Sequence, residues 1–294
     1  MPSRIYILVK AAVPILLFSL VSLVPNNRIL ADNSPFFVKN TISHLKSGAK
    51  TLATMPYNLL RSLSDDKRVE AIEAQLALRA IVEQSQVLLN DGMKTIPYKN
   101  LAAKKLAVVQ IGTAPSSTFE TTANLYAPFA KLSVSLAPNK DELLKLAQET
   151  SNYNSFLISL NNVSLDPKQH VDLLTALKML AQKGEVVVVN FGKAENLAVL
   201  NDAKITLLQA NNTEYESQNA AAQILFGGIP ATGKLPVAVG SFPQNAGQTT
   251  VSTRFKYTIP EEVGLDGAKL AQIDAIATQS IAGHVFPGCQ IFIA

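Results

Sequence analysis

Cysteine is nearly absent: the 294-residue chain holds one, Cys289. A lone thiol cannot close an internal disulfide, so stability has to come from packing. Tryptophan is missing and histidine occurs three times, at His44, His170 and His284. With so few soft ligands, and those scattered, no His/Cys cluster has zinc-ligand spacing, and no metal is expected. The formal net charge is +4 and the pI about 9.0, yet no run of basic residues and no interleaved aromatics accompany it. That pattern argues against nucleic acid as a partner. Glycines are sparse after the first apolar strand: only Gly112 precedes Thr113-Ala114-Pro115, so the dinucleotide fingerprint is absent and no cofactor is expected. What is plentiful is apolar residues, at 48%, enough for the core of one large or two modest domains.

The N-terminus differs from the rest. Arg4 and Lys10 precede an apolar run from Ala11 to Val24, and Ile29-Leu30-Ala31 supplies a small residue for cleavage. Residues 1–31 therefore read as a secretory signal peptide. Taking Ile5 to Val24 as one segment gives a membrane anchor as the other reading, but Lys10 and Pro14 interrupt it. The protein is expected to be exported, to the periplasm or cell envelope, with an N-terminal anchor as the alternative.

Residues 33–63 mix polar and apolar positions without a period. Ser64, Asp65 and Asp66 then suit a helix start, and Val69, Ile72, Leu76, Leu78, Ile81 and Leu88 recur at near-helical spacing until Asn90-Asp91-Gly92. Residues 32–103 are thus a helical lead-in. From Lys105 to Gly112, Leu132 to Ala137, Ser155 to Leu160, Glu185 to Gly192 and Ile205 to Ala210 run short β-branched segments. Helical stretches at 118–129, 140–150 and 167–183 separate most of them, with a single turn near 195–200. Apolar strands alternating with helices predict an α/β fold: a doubly wound, mainly parallel sheet sandwich over 104–245. It would carry an N-terminal helical segment and an incomplete C-terminal α+β element. Such sheets bind ligands beyond the carboxyl ends of their strands. The loops gathered there hold Ser116, Asn161, Asn162, Lys193, Glu195 and Asn196, the candidate ligand contacts, although turns also recruit Asn and Ser for their own geometry.

The stretch from Thr213 to Gly247 is the most informative. Thr213 and Glu216 have capping-box spacing, Ala221, Ala222 and Leu225 give the following helix an apolar face, and Gly227-Gly228 should end it. Leu235, Val237 and Val239 then alternate as a short strand is expected to do. Gly228 to Lys234 falls one residue short of a P-loop, but a helix precedes it and Leu235 stands where the Mg²⁺-binding hydroxyl belongs, so nucleotide binding is excluded.

The helix of small residues followed by FGGIPATGKLPVAV and FPQNAG resembles the closing segment of the C-terminal domain of glycoside hydrolase family 3, particularly its β-N-acetylglucosaminidase branch. VLLNDGMKTIPY at 87–98 is similar to the segment that leads from the barrel into that domain. The resemblance runs from about Leu88 to Ala294 and is strongest from Ala220. It implies an association with hydrolysis of O-glycosyl bonds, with carbohydrate as the ligand of the strand-end loops. In that family the nucleophilic Asp and the His–Asp acid/base pair, near a K-H-x-P-G-type motif, sit in the N-terminal barrel. Neither motif occurs here, so no catalytic residue is assigned, and a missing or separately encoded barrel is the implied partner. Asp65, Asp66, Asp141, Glu142, Glu214 and Glu216 read as helix N-terminal charges. The histidines read as structural or solvated, with His44 and His170 in amphipathic or surface segments.

After a linker at 246–260, residues 261–294 change character. Leu265, Leu270, Ile273, Ile276 and Ile281 trace a helix with Asp266 near its start, and Pro287-Gly288 opens a predicted strand, CQIFIA, that would bury Cys289. This segment resembles the first elements of a serine β-lactamase or penicillin-binding esterase domain. The Ser-x-x-Lys that chemistry needs is absent downstream, and the strings at Ser43 and Ser64 are too far upstream to serve. The chain is expected to be a fragment, an exported accessory module of a family 3-like enzyme without turnover of its own. A non-catalytic glycan-binding or scaffolding module is the alternative.

Overall fold

The computed structural model describes residues 8–9, 64–92, 94–112, 117–166, 168, 170–201 and 205–290. The signal segment, Ser43 and His44 lie outside the described residues apart from Leu8–Val9. Two compact units divide the chain: the larger includes 78–253, and the smaller includes 64–77, Leu8–Val9 and 254–290.

The apolar runs of the larger unit become strands close to where their composition predicts them at β3 (Leu106–Gly112), β5 (Ser155–Asn161), β6 (Glu185–Phe191) and β7 (Thr206–Gln209), whereas β4 (Phe129–Ser133) lies ahead of the expected Leu132–Ala137 and shares only two residues with it. All five are parallel, in the spatial order β4-β3-β5-β6-β7. The sixth strand, β2 (Val87–Leu89), pairs antiparallel with β7 and forms the other edge; β1 is Leu8–Val9 of the smaller unit. Every residue of β5 is buried, as expected of a strand covered on both faces.

Side chains alternate across the sheet. One face sends Ala107, Val109 and Ile111 of β3 and Phe156, Ile158 and Leu160 of β5 into a core completed by helices α3 (Lys140–Glu149), α4 (Val171–Lys183) and α5 (Asn196–Leu200). On the opposite face lie α2 (Ser117–Asn124) and α6 (Tyr215–Phe226), with Phe119 of α2 edge-on to Phe191 of β6 at 5.5 Å. The doubly wound α/β sandwich is therefore observed. Its parallel strands start inside the sheet: β4 lies to one side of β3 and β5 to the other.

Three local expectations give way to tertiary partners. Helix α1 (Asp65–Ser85) stops earlier than its periodicity suggests, because Val87, Leu88 and Leu89 find buried edge positions beside Gln209, Leu208 and Leu207. Short apolar runs suit either period, and the sheet edge decides. Residues 235–239 do not form a sheet strand. Leu235 exchanges backbone hydrogen bonds with Ala246 and Asn245 at 2.8 Å, and Val239 pairs with Phe242, so the segment folds on itself. Pro236 has no N–H to give a ladder. The capping box at Thr213 and Glu216 is also not made. Glu214 takes the N-cap position without a side-chain bond, and Glu216 turns to Arg79 instead.

Helix α6 is buried on every side from Glu216 to Phe226, beyond the single Ala/Leu face its sequence suggests. Its polar residues are consumed by α2 and the segment after it: Phe119 N–H donates to Gln218 Oε1 at 3.0 Å, Thr122 Oγ1 to Asn219 Oδ1 at 3.2 Å, and the Tyr126 hydroxyl to Gln223 Oε1 at 3.2 Å. Gly227, at φ 81°, ends it in the left-handed conformation that glycine adopts freely. Lys234, in the P-loop-like string, donates to the Gly247 carbonyl.

In the smaller unit Leu8–Val9 pairs antiparallel with β8 (Lys256–Tyr257), and Asp266 caps α7 (Gly267–Ala282) through bonds to the Ala268 and Lys269 amides. Cys289 is exposed rather than buried in a strand. Residues 289–290 pair with no strand among the described residues, so the thiol has nothing to pack against; 291–294 lie outside them. Among the described residues, no helix is long and apolar enough to cross a membrane.

Candidate functional site at the carboxyl edge of the sheet

The direction of winding reverses between β3 and β5, which makes their carboxyl ends the expected ligand crevice. Here the two backbones meet closely. Gly112, at φ 109°, comes so near β5 that a Cβ on it would lie 2.3 Å from the Asn161 carbonyl oxygen and 2.8 Å from Val163 Cγ1. Asn161 itself is 1% exposed. Its amide donates to Ser159 Oγ at 2.9 Å, while its side-chain oxygen is buried without a hydrogen-bond partner. Asn162 follows, exposed and left-handed at φ 53°, a conformation that Asn tolerates.

A lattice of amides holds the next loops. Asn190 and Gln209 are register partners on β6 and β7, and Asn190 Nδ2 donates to Gln209 Oε1 at 2.6 Å and to the Lys193 carbonyl at 2.8 Å. Asn196 Nδ2 donates to Asn190 Oδ1 and to the Val163 carbonyl, both at 3.0 Å, and Asn196 Oδ1 accepts from the Leu165 amide at 2.8 Å. Gln209 Nε2 closes on the Gly192 carbonyl at 3.0 Å. One buried side chain, Asn196, thus ties the loop after β5 to the loop after β6.

The six candidate contacts divide accordingly. Asn162, Lys193 and Glu195 stand exposed on the rim; Asn161 and Asn196 are buried beneath it; Ser116 lies outside the described residues. Gln209, which sequence reasoning missed, completes the lattice. Its signal was an amide at the end of one apolar strand beside another in Asn190. His170 is buried, not superficial: at the start of α4 its Nδ1 lies 2.9 Å from both the N–H and the carbonyl oxygen of Asp166.

Farther along the edge, α2 and the last residues of β3 and β4 border an open cleft of about 380 Å³ lined by Gln110, Ser117, Glu120, Lys131, Leu132 and Ser133. At the opposite end of the sheet Tyr98 packs against Phe226 at 5.5 Å, with the Lys104 ammonium 5.3 Å from its ring. Burial pushes its phenol well above the ordinary tyrosine range; Ser155 opposes the shift and Glu185 and Asp91 add to it. Among the described residues, no group of three or more His, Cys, Asp or Glu side chains could hold a metal ion. Among the described residues the edge offers amides, hydroxyls, the exposed Lys193 ammonium and carboxylates, a set suited to holding a hydroxyl-bearing ligand.

A solved glycosidase shares this fold. A fungal multi-domain glycoside hydrolase family 3 β-N-acetylglucosaminidase matches with a TM-score of 0.51 and 14% identity over 66% of this chain and 22% of its own. A family 3 β-N-acetylglucosaminidase from a Paenibacillus species gives 0.39 and 13% over 69% and 42%; a mutant β-glucosidase from Listeria innocua, in complex with laminaribiose, gives 0.46 and 15% over 68% and 38%. No family model matches the chain, and no curated protein does. The chain covers only 22% of the fungal enzyme's length, and at this identity the likeness shows the fold.

Proposed function

We propose that this chain is the accessory α/β module of an exported enzyme resembling glycoside hydrolase family 3, acting on O-glycosyl bonds in β-N-acetylglucosaminides. The observation that carries the reading is a coincidence within one unit. The sandwich shared with the fungal enzyme also ends its buried helix α6 in FGGIPATGKLPVAV, the segment on which the sequence resemblance rests. The exposed Asn162, Lys193 and Glu195 would contact glycan. The catalytic carboxylate and His motifs of that family are missing from the sequence, so turnover would need a barrel. Export rests on the N-terminal apolar run, with anchoring there as its variant. Residues 261–294 would begin a β-lactamase-like domain, a reading that rests on the sequence resemblance.

A second reading, a non-catalytic glycan-binding or scaffolding module, draws on a different observation: the amide lattice under the rim ties two loops together through the chain's own buried side chains. Both readings meet one experiment. The full chain is incubated with 4-nitrophenyl N-acetyl-β-glucosaminide and titrated calorimetrically with chitooligosaccharides. Saturable binding without release of nitrophenol is expected. Release that co-purifies with the chain and is absent from an empty-vector control would overturn the non-catalytic assignment, and no heat with any glycan would overturn the rim.

A further inference from the structure

The cleft between α2 and edge strand β4 uses none of the rim residues Asn162, Lys193 and Glu195. Parallel pairing sets Gln110 opposite Ser133 and Val108 opposite Lys131, so Gln110, Lys131 and Ser133 all point to the face that carries α2. Ser117 and Glu120 come down from the first turn of that helix and border the space. The cavity, about 380 Å³, falls within the range of small-molecule sites and is large enough for one pyranose ring.

Its chemistry is specific. Glu120 is 6% exposed, so its carboxylate forms the floor of the cleft rather than a solvated rim. Gln110 donates to Oε1 and Lys131 to Oε2. A carboxylate oxygen accepts two hydrogen bonds, so each retains capacity for one more donor, side by side. Lys131 neutralises the charge from the open side, its side chain 66% exposed. Two serine hydroxyls flank the pair. A net-neutral site with two adjacent acceptors, flanking hydroxyls and an ammonium does not attract an ion of either sign. It fits a neutral polyol that can present two neighbouring hydroxyls. Among the described lining residues Leu132 is the only apolar one and none carries a ring for stacking, so with these residues affinity rests on hydrogen bonds and falls at about 1 mM or weaker.

We infer that this cleft is a second carbohydrate subsite, which binds one neutral pyranose through a vicinal diol on Glu120. It is separate from the Asn162, Lys193 and Glu195 rim and stands whether or not the chain serves a hydrolase.

The test is a ¹⁵N-resolved NMR titration of the full chain with methyl β-D-glucopyranoside and, separately, with N-acetylglucosamine and glucuronate. Saturable shifts at the amides of Leu132 and Ser133 and at the Gln110 side chain are expected with the neutral sugars. Glu120→Gln should weaken the binding about tenfold or more, since a hydrogen bond to a charged acceptor is among the stronger ones. Lys131→Ala should weaken it a few-fold, about two to five times. Lys193→Ala should leave these shifts unchanged, which separates this subsite from the rim. No shift at these amides, unaltered affinity in Lys131→Ala, or preference for glucuronate would each overturn the assignment.

Discussion

Arg79 and Glu216, 137 residues apart, form a two-pronged buried ion pair, with Nε to Oε2 at 3.0 Å and the terminal guanidinium nitrogen to Oε1 at 3.3 Å. Their side chains are 6% and 10% exposed. The pair locks the last turns of α1 to the first turn of α6. Removing Arg79 leaves the buried Glu216 carboxylate uncompensated, so Arg79→Met should cost about 3–5 kcal/mol, and Glu216→Gln should destabilise as well. Replacing both with apolar residues, Arg79→Met with Glu216→Leu, should recover most of that loss. Urea unfolding followed by circular dichroism checks both; a double variant no better than the singles would show that the pair itself, not the lone charge, dominates.

Gly112 is fixed by geometry at the switch point. Its φ of 109° and the 2.3 Å between a built Cβ and the Asn161 carbonyl leave no room for alanine. Gly112→Ala should destabilise by more than about 1 kcal/mol, the scale for a positive-φ glycine alone, and should shift the Asn161 and Asn162 amides in an NMR spectrum. A variant as stable as the parent would mean the two strand ends can move apart, and the crevice would then count as an open site.

Four of the parallel strands, β3, β5, β6 and β7, were legible because each is a short, mostly apolar run, and burial on both faces needs no alternation; edge strand β4, FAKLS, carries no such signal. The strand order was not legible, since nothing in Leu106–Gly112 or Ser155–Asn161 states which neighbour each will take. Glu216 misled for a related reason. Its spacing from Thr213 is that of a capping box, but the partner that wins lies in another helix far away in sequence. At the strand ends the residue types were legible and the burial was not: Asn196 and Asn162 look alike in sequence, yet one is the staple and the other the surface. Glu120 read as nothing in particular. It acquires its place only when β4 brings Lys131 alongside β3.

Acid should loosen α3 before the rest of its unit. Asn139 accepts from the Glu142 amide at 2.9 Å, and Glu142 accepts in return from the Asn139 amide at 3.0 Å, with Ser135 adding a side-chain bond. These bonds, the Asn139 amide first, hold the Glu142 carboxyl below the ordinary glutamate range. A depressed folded pKa gives stability that is present above the unfolded value and lost as pH falls through the folded one. The stability difference between the parent and Glu142→Gln should therefore be largest near neutrality and shrink below the ordinary carboxylate range. A difference that stays constant into strong acid would mean the box contributes through its neutral bonds only.

The rim and its staple should separate cleanly under mutation. Asn196→Ala removes the acceptor of the Leu165 amide and the donor to the Val163 carbonyl and Asn190 Oδ1. Each buried group left unpaired costs about 1–3 kcal/mol, so the loss should reach about 2 kcal/mol or more. Lys193 and Glu195 are exposed, and alanine at either should change stability by no more than about 0.5 kcal/mol. If the rim holds glycan, those same alanines weaken chitooligosaccharide binding in calorimetry while the unfolding midpoint stays put. Binding that survives Lys193→Ala with Glu195→Ala yet vanishes in Asn196→Ala would place the contacts elsewhere on the two stapled loops, because only the arrangement of the backbone would then have changed.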